Sequence, residues 1–378
     1  MNIRDLLTIM AKHNSSDLYI AVDSPPMFRI EGITRPFGEQ AITAQQAEEI
    51  SASIMTEKQK IKFAETLEMN LALHYPELGR FRVNIFRQRG LTGLVIRQIK
   101  TEIGSIDEWG LPPILKEIGL CKRGLVLIAG RTGTGKSTTL AAMIEYRNEN
   151  STGHIVTIED PIEFVYRHKK MIVTQREIGI DTHTFANALR NVMRAAPDVI
   201  LVGEIRDVET MEAVITFAET GHLVLATLHA NNANQAMERI LNFFPHERHE
   251  QILLQLSLNL KSIISQRLIP STDGTRVAAI EILLDTPRVK DLIYKNQVAL
   301  LKEAMAQGSG EGMQTFDQAI FDLYKQGRLN YDNALAYADS VNDLRLKIKL
   351  DKTSDEKAPA PSEDKLEEKF RLRPTNIH

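Results

Sequence analysis

The stretch Leu125-Val-Leu-Ile-Ala129-Gly130-Arg131-Thr132-Gly133-Thr134-Gly135-Lys136-Ser137-Thr138 decides the fold of this chain. Its first five residues read as a buried strand, and the G-x-x-x-x-G-K-S spacing that follows is that of a loop wrapped round phosphates. Glycines let the backbone curl so that several N–H groups point inward. A helical pattern from Ser137 to Tyr146 brings the positive end of a helix dipole to the same place. Gly130 to Thr138 are therefore the expected triphosphate cradle, with Lys136 as a cation for the outer phosphates and Ser137 as a hydroxyl for Mg²⁺. A strand feeding such a loop and helix opens an α/β domain with a parallel central sheet.

The rest of the composition is compatible with that reading. The chain has 378 residues, 43% hydrophobic and 25% charged, which suits a soluble protein of about two domains. One cysteine, Cys121, excludes an internal disulfide or a Cys-type zinc site and reads as a buried apolar side chain in a reducing compartment. No apolar run is long enough to span a bilayer and the N-terminus lacks a signal-peptide pattern, so the cytoplasm is expected. A formal net charge of -3 argues against broad attraction to nucleic acid.

Working back from the loop, residues 1–99 read as a small α+β domain. An amphipathic helix over 2–13 is followed by strands at 17–23 and 27–32, helical patterns at 43–67, and strands near 69–75, 80–88 and 91–99. In Arg80-Phe-Arg-Val-Asn-Ile-Phe86, Phe81, Val83 and Ile85 share one face, while Arg80, Arg82 and Asn84 share the other. Residues 100–116, with Pro112-Pro113, read as a linker, and 117–350 as the α/β domain. From Asp351 to His378, 13 of 28 residues are charged, so this tail is expected to be disordered, with one short helix carrying Leu366 and Phe370.

Three further segments supply chemistry. Val199-Ile-Leu-Val202 runs into Gly203-Glu204-Ile-Arg206-Asp207, and at the carboxyl end of a strand Glu204 is placed to hold Mg²⁺ through water. Glu159, Asp160 and Glu163 put three carboxylates in five residues after another apolar stretch. One of them would orient or deprotonate the water that attacks the γ-phosphate, Glu163 being the first candidate and Glu159 the second. Gly221-His222-Leu-Val-Leu-Ala-Thr-Leu-His229 is a strand bracketed by histidines. His229, at its carboxyl end, is placed to sense the γ-phosphate, and His222 to serve structure or a subunit contact.

Together these residues resemble the hexameric secretion and pilus ATPases, and within them the PilT/PilU retraction motors of type IV pili. The phosphate loop, the acidic box Thr157 to Glu163, the Walker B-like Leu201 to Asp207 and the His box Thr220 to Ala230 stand in that family's order, and the likeness covers most of residues 1–345. The resemblance implies a PAS-like N-terminal domain and a RecA-like P-loop ATPase domain, assembled as a homohexameric ring with ATP between the two domains. It also implies that two arginines of the N-terminal sheet, Arg82 and Arg97, come onto the nucleotide phosphates, while Arg80, Arg87 and Arg89 are solvated or make subunit contacts. The implied partners are a PilT-like retraction ATPase and the inner-membrane pilus platform protein, with no nucleic acid. The implied place is the cytoplasmic side of the inner membrane, at the base of the pilus machine.

Assembly-class relatives carry an added N-terminal domain and paired cysteines, which this chain lacks. Within the retraction class, Arg288-Val-Lys290-Asp291-Leu292-Ile293 only partly keeps the segment Ala-Ile-Arg-Asn-Leu-Ile of the principal motor, and the charged C-terminal extension is longer. Both departures favour the accessory branch. Two alternatives stay open: a ring that binds ATP but acts as an adaptor, and a RecA-like nucleic-acid motor, which one tryptophan and an acidic balance support poorly.

Overall fold

The computed structural model describes residues 2–30, 32–99 and 102–355. The expected disordered tail lies outside them from 356 onward, and residues 351–355 continue the helix Val341–Asp355. No helix among the described residues is long and apolar enough to cross a membrane.

Six strands build the first sheet: β1 Asp17–Ile20, β2 Met27–Ile30, β3 Ile33–Pro36, β4 Glu68–Tyr75, β5 Gly79–Gln88 and β6 Leu91–Ile99, in the order β3-β2-β1-β6-β5-β4. All neighbours are antiparallel. The alternation in β5 decides its faces, since Phe81, Val83 and Ile85 are fully buried under the helix Ile3–Lys12 and its neighbours. Each such side chain contributes roughly 1.5–3 kcal/mol by leaving water. The helical patterns at 43–67 are two helices, Ala44–Ser53 and Glu57–Thr66, because Thr56 opens a second capping box with Gln59 just as Thr43 does with Gln46.

Seven strands build the second sheet: β7 Gly124–Ala129, β8 Gly153–Glu159, β9 Met171–Glu177, β10 Val199–Val202, β11 Leu223–Leu228, β12 Leu260–Pro270 and β13 Arg276–Leu284. Their order is β13-β12-β7-β11-β10-β8-β9, parallel except for the β12–β13 edge hairpin. Leu125, Leu127 and Ala129 pack into the core on one face of β7, and Val126 and Ile128 into the core on the other. Sheet strands buried on both faces read as unbroken apolar runs, which is why this one did. Ile106, Leu111 and Leu115, within the expected linker, are buried in the second of these cores. Cys121 is only half-buried, not interior as expected, and burial pushes its thiol up.

The parallel register brings the carboxyl ends of β7, β11, β10 and β8 to one edge, with Ala129 paired to Leu228, and Val202 to both Ile158 and Ala226. The phosphate loop, the acidic box, the glutamate of β10 and the histidine of β11 therefore emerge side by side, at the crevice where open α/β sheets bind ligands.

Candidate nucleotide and catalytic site

The loop after β7 has the geometry its glycines permit. Gly133 and Gly135 lie at φ 78° and 86°, in the left-handed region. A Cβ on Gly135 would stand 2.9 Å from Gln266 Nε2, and one on Gly130 would stand 2.5 Å from Thr134 Oγ1. The helix Lys136–Asn150 begins without a side-chain cap, so its first N–H groups are left for a ligand. Lys136 Nζ donates to the carbonyls of Gly130 at 2.8 Å and Arg131 at 3.0 Å, placing the ammonium inside the curl. Burial lowers its pKa, and Glu204 and Glu163 oppose that shift. A glycine-lined cradle with a centred cation and open helix N–H groups fits a polyphosphate.

The cradle opens into a cavity of about 520 Å³ that also takes in Ser137, Thr138, Glu159, Glu163, Glu204 and His229. The three carboxylates are not equivalent. Glu159 is buried, accepts from Thr157 Oγ1 at 2.6 Å and Gln175 Nε2 at 3.2 Å, and is pushed by burial up to about 7. Glu163 is exposed to the cavity, and among the described residues its carboxylate takes no hydrogen bond or ion pair. Glu204 is clamped: one oxygen lies 2.9 Å from His229 Nε2 and the other 2.8 Å from Arg206 Nη2.

His229 meets Glu204 because the β10–β11 register puts these residues on neighbouring strand ends, so the carboxylate expected to hold Mg²⁺ through water is held by His229 on one oxygen and Arg206 on the other. A Mg²⁺ ion takes one or two carboxylates and keeps water and phosphate oxygens for the rest of its octahedron, so Ser137 and a water-bridged Glu204 fit it without a dedicated cage. Among the described residues no three acidic, histidine or cysteine side chains form such a cage.

Arg82 and Arg97 are paired in register across β5 and β6, Arg97 Nε donates to Asp17 Oδ1 at 2.8 Å, and neither lines the cavity. Arg87 pairs with Glu48 of the helix Ala44–Ser53, and Arg80 crosses to Glu177 of the second sheet rather than standing in solvent. His222 bonds Thr220 Oγ1 and the carbonyl of Phe217, both at 3.1 Å, a local tie at the start of β11.

The sequence reading missed Gln266. Its Oε1 accepts from Thr139 Oγ1 at 2.7 Å, so β12 braces the helix that follows the phosphate loop. An amide in the stretch Ile263-Ile-Ser-Gln266-Arg-Leu-Ile269, flanked by apolar pairs, is the available signal, since a buried polar group needs a partner. It also missed Leu268 and Arg276, which line the cavity beside Thr138.

Glu281 of β13 supports the same edge from below. Its Oε1 accepts from the N–H of Ala233 at 2.7 Å, at the start of the helix after His229, and burial outweighs that helix end to push its carboxyl up to about 7. A folded-state value above the unfolded 4.5 means the folded chain holds the extra proton between the two. Stability is therefore fullest below about 4.5 and falls as pH rises through about 7, by on the order of 3 kcal/mol. Glu281→Gln keeps the acceptor and should flatten this part of the dependence, read as denaturation midpoints at pH 5 and pH 8. An unchanged slope in that variant would place the titration elsewhere.

Comparison with known proteins bears on this geometry. The model of the family described as Type II/IV secretion system protein matches residues 80–298. The type IV pilus ATPase PilU of Pseudomonas aeruginosa is 53% identical over 94% of this chain and 93% of its own length. The retraction ATPase PilT of the same organism is 42% identical over 88% of this chain and 97% of its own. A crystal structure of the pilus retraction motor PilT with bound ADP superposes with a TM-score of 0.85 at 39% identity, covering 91% of this chain and 99% of that one.

Proposed function

The chain belongs to the type II/IV secretion system protein family, as an ATPase of its PilT/PilU branch, and from that premise we propose that it is the accessory retraction motor of a type IV pilus. The observation that carries this is the cradle of Gly130 to Thr138 opening onto Glu163, Glu204 and His229, in a chain more similar to PilU than to PilT over nearly its whole length.

In this reading Lys136 and the loop N–H groups hold the triphosphate. Ser137 and, through water, Glu204 would hold Mg²⁺, which would supply positive charge against the phosphates. Glu163 orients the attacking water. The Arg206 and His229 contacts on Glu204 fix where that carboxylate stands in the cavity wall. Arg82 and Arg97 are supplied from the N-terminal sheet when the domains close, so that a planar guanidinium meets charge building on the γ-phosphate. Residues 1–99 act as a PAS-like domain and 117–350 as a RecA-like motor in a homohexameric ring. That ring works with a PilT-like ATPase and the platform protein, on the cytoplasmic side of the inner membrane.

The deciding assay is Mg²⁺-dependent ATP hydrolysis by purified protein with and without a PilT-like partner or single-stranded DNA. DNA-independent turnover that rises with the partner is the expected result. Stimulation by DNA instead would favour a nucleic-acid motor. In cells, Glu204→Ala should abolish the contribution to retraction while leaving ATP binding, and retraction unaffected by that change would favour the adaptor.

A further inference from the structure

Strand β9 is attached at one end to the N-terminal sheet and along its length to the acidic box. Arg80, at the start of β5, places Nη2 3.5 Å from Oε2 of Glu177, the last residue of β9. Glu177 is 2% exposed, and the buried Nε of Arg80 has no hydrogen-bond partner among the described residues. The pair is thus a desolvated contact between two domains, of the kind whose loss leaves a buried charge behind.

The other attachments are to the loop that follows β8. Ile178 donates its N–H to the carbonyl of Glu159 at 2.9 Å. Gln175 accepts from the N–H of Tyr166 at 2.9 Å and donates to the carbonyl of Phe164 at 2.8 Å and to Glu159 Oε1 at 3.2 Å. Glu163 lies between these anchors, one on either side. Glu159 and Glu177 also pair in the β8–β9 register. Burial raises the pKa of Glu177, while Arg80, Arg82 and the N–H of Ile162 within the same loop favour its charged form.

We propose that Arg80 and Glu177 are positioning residues for ATP hydrolysis: their ion pair transmits the placement of the N-terminal sheet through β9 to the acidic box and so sets where the Glu163 carboxylate stands in the cavity. This rests on Glu163 orienting the attacking water. It gives domain movement a route to the chemistry within one chain, separate from any arginine delivered to the phosphates. A carboxylate misplaced by about 1 Å is enough to cost one to two orders of magnitude in rate.

The test is kcat and KM for Mg²⁺-ATP in full-length wild type, Arg80→Gln, Glu177→Gln, the double variant and Arg80→Lys. Each Gln variant should lower kcat about tenfold with KM within about twofold, because the triphosphate cradle is untouched. The double variant should be no slower than either single, and Arg80→Lys should recover part of the loss. Wild-type kcat in both singles, losses that multiply in the double, or a rise in KM equal to the fall in kcat would each overturn the coupling. A wild type that turns over normally, with Glu163→Gln also normal, would overturn the assignment of Glu163 itself.

Discussion

Lys136→Ala is expected to abolish ATP turnover and to remove saturable nucleotide binding over the range in which wild type saturates. The ammonium is already inside the phosphate loop, held by the carbonyls of Gly130 and Arg131, and burial has taken part of its hydration away. A phosphate that enters meets a cation that needs little reorganisation. Alanine removes that charge and leaves two carbonyls facing the ligand without a donor between them. The loss should exceed ~10²-fold in kcat/KM, about 2.7 kcal/mol or more, on the scale of deleting one preorganised donor from a transition-state site. Turnover within a few-fold of wild type would mean that the triphosphate is held elsewhere.

Glu163→Gln should leave binding intact and cut kcat by ~10²–10³-fold, the range that a positioned base contributes. The geometry separates it from Glu159, which the residue pattern alone could not do. Glu159 is buried, takes hydrogen bonds from Thr157 and Gln175, and carries a carboxyl pushed up to about 7. Glu163 faces the cavity with its carboxylate uncommitted among the described residues. Glu159→Gln preserves much of that packing and should be the milder variant. Single-turnover assays with enzyme in saturating excess over ATP distinguish the two, and a Glu159 variant that is crippled beside a near-normal Glu163 variant would exchange their roles.

Much of the site was legible because its signals are local. The phosphate loop needs glycines at fixed offsets from a strand and a helix start, and Gly133 and Gly135 adopt the left-handed backbone that spacing implied. Alternation in Phe81, Val83 and Ile85 determined the buried face of β5, since side chains of a strand must point to opposite sides. The capping box at Thr56 and Gln59 is equally local, and it separates the two helices within the helical patterns of 43–67.

What escaped the reading is non-local. Gln266 and Thr139 are 127 positions apart, and Arg80 and Glu177 are 97 apart. Glu204 was correctly placed at a strand end, but its clamp depends on β11 lying beside β10. The family resemblance supplied roles for Arg82 and Arg97, whereas the fold holds Arg97 on Asp17 within the N-terminal sheet.

The sequence by itself determined the buried face of β5, the apolar strands β7, β10 and β11, and that a phosphate loop follows β7, because periodicity and backbone freedom are properties of neighbouring residues. Only the tertiary structure decided which carboxylate is open, which histidine meets which glutamate, and how the N-terminal sheet reaches β9 through Arg80 and Glu177. Those contacts follow from the order and register in which distant strands pair, and pairing is settled by burial of the whole sheet rather than by any one stretch of chain.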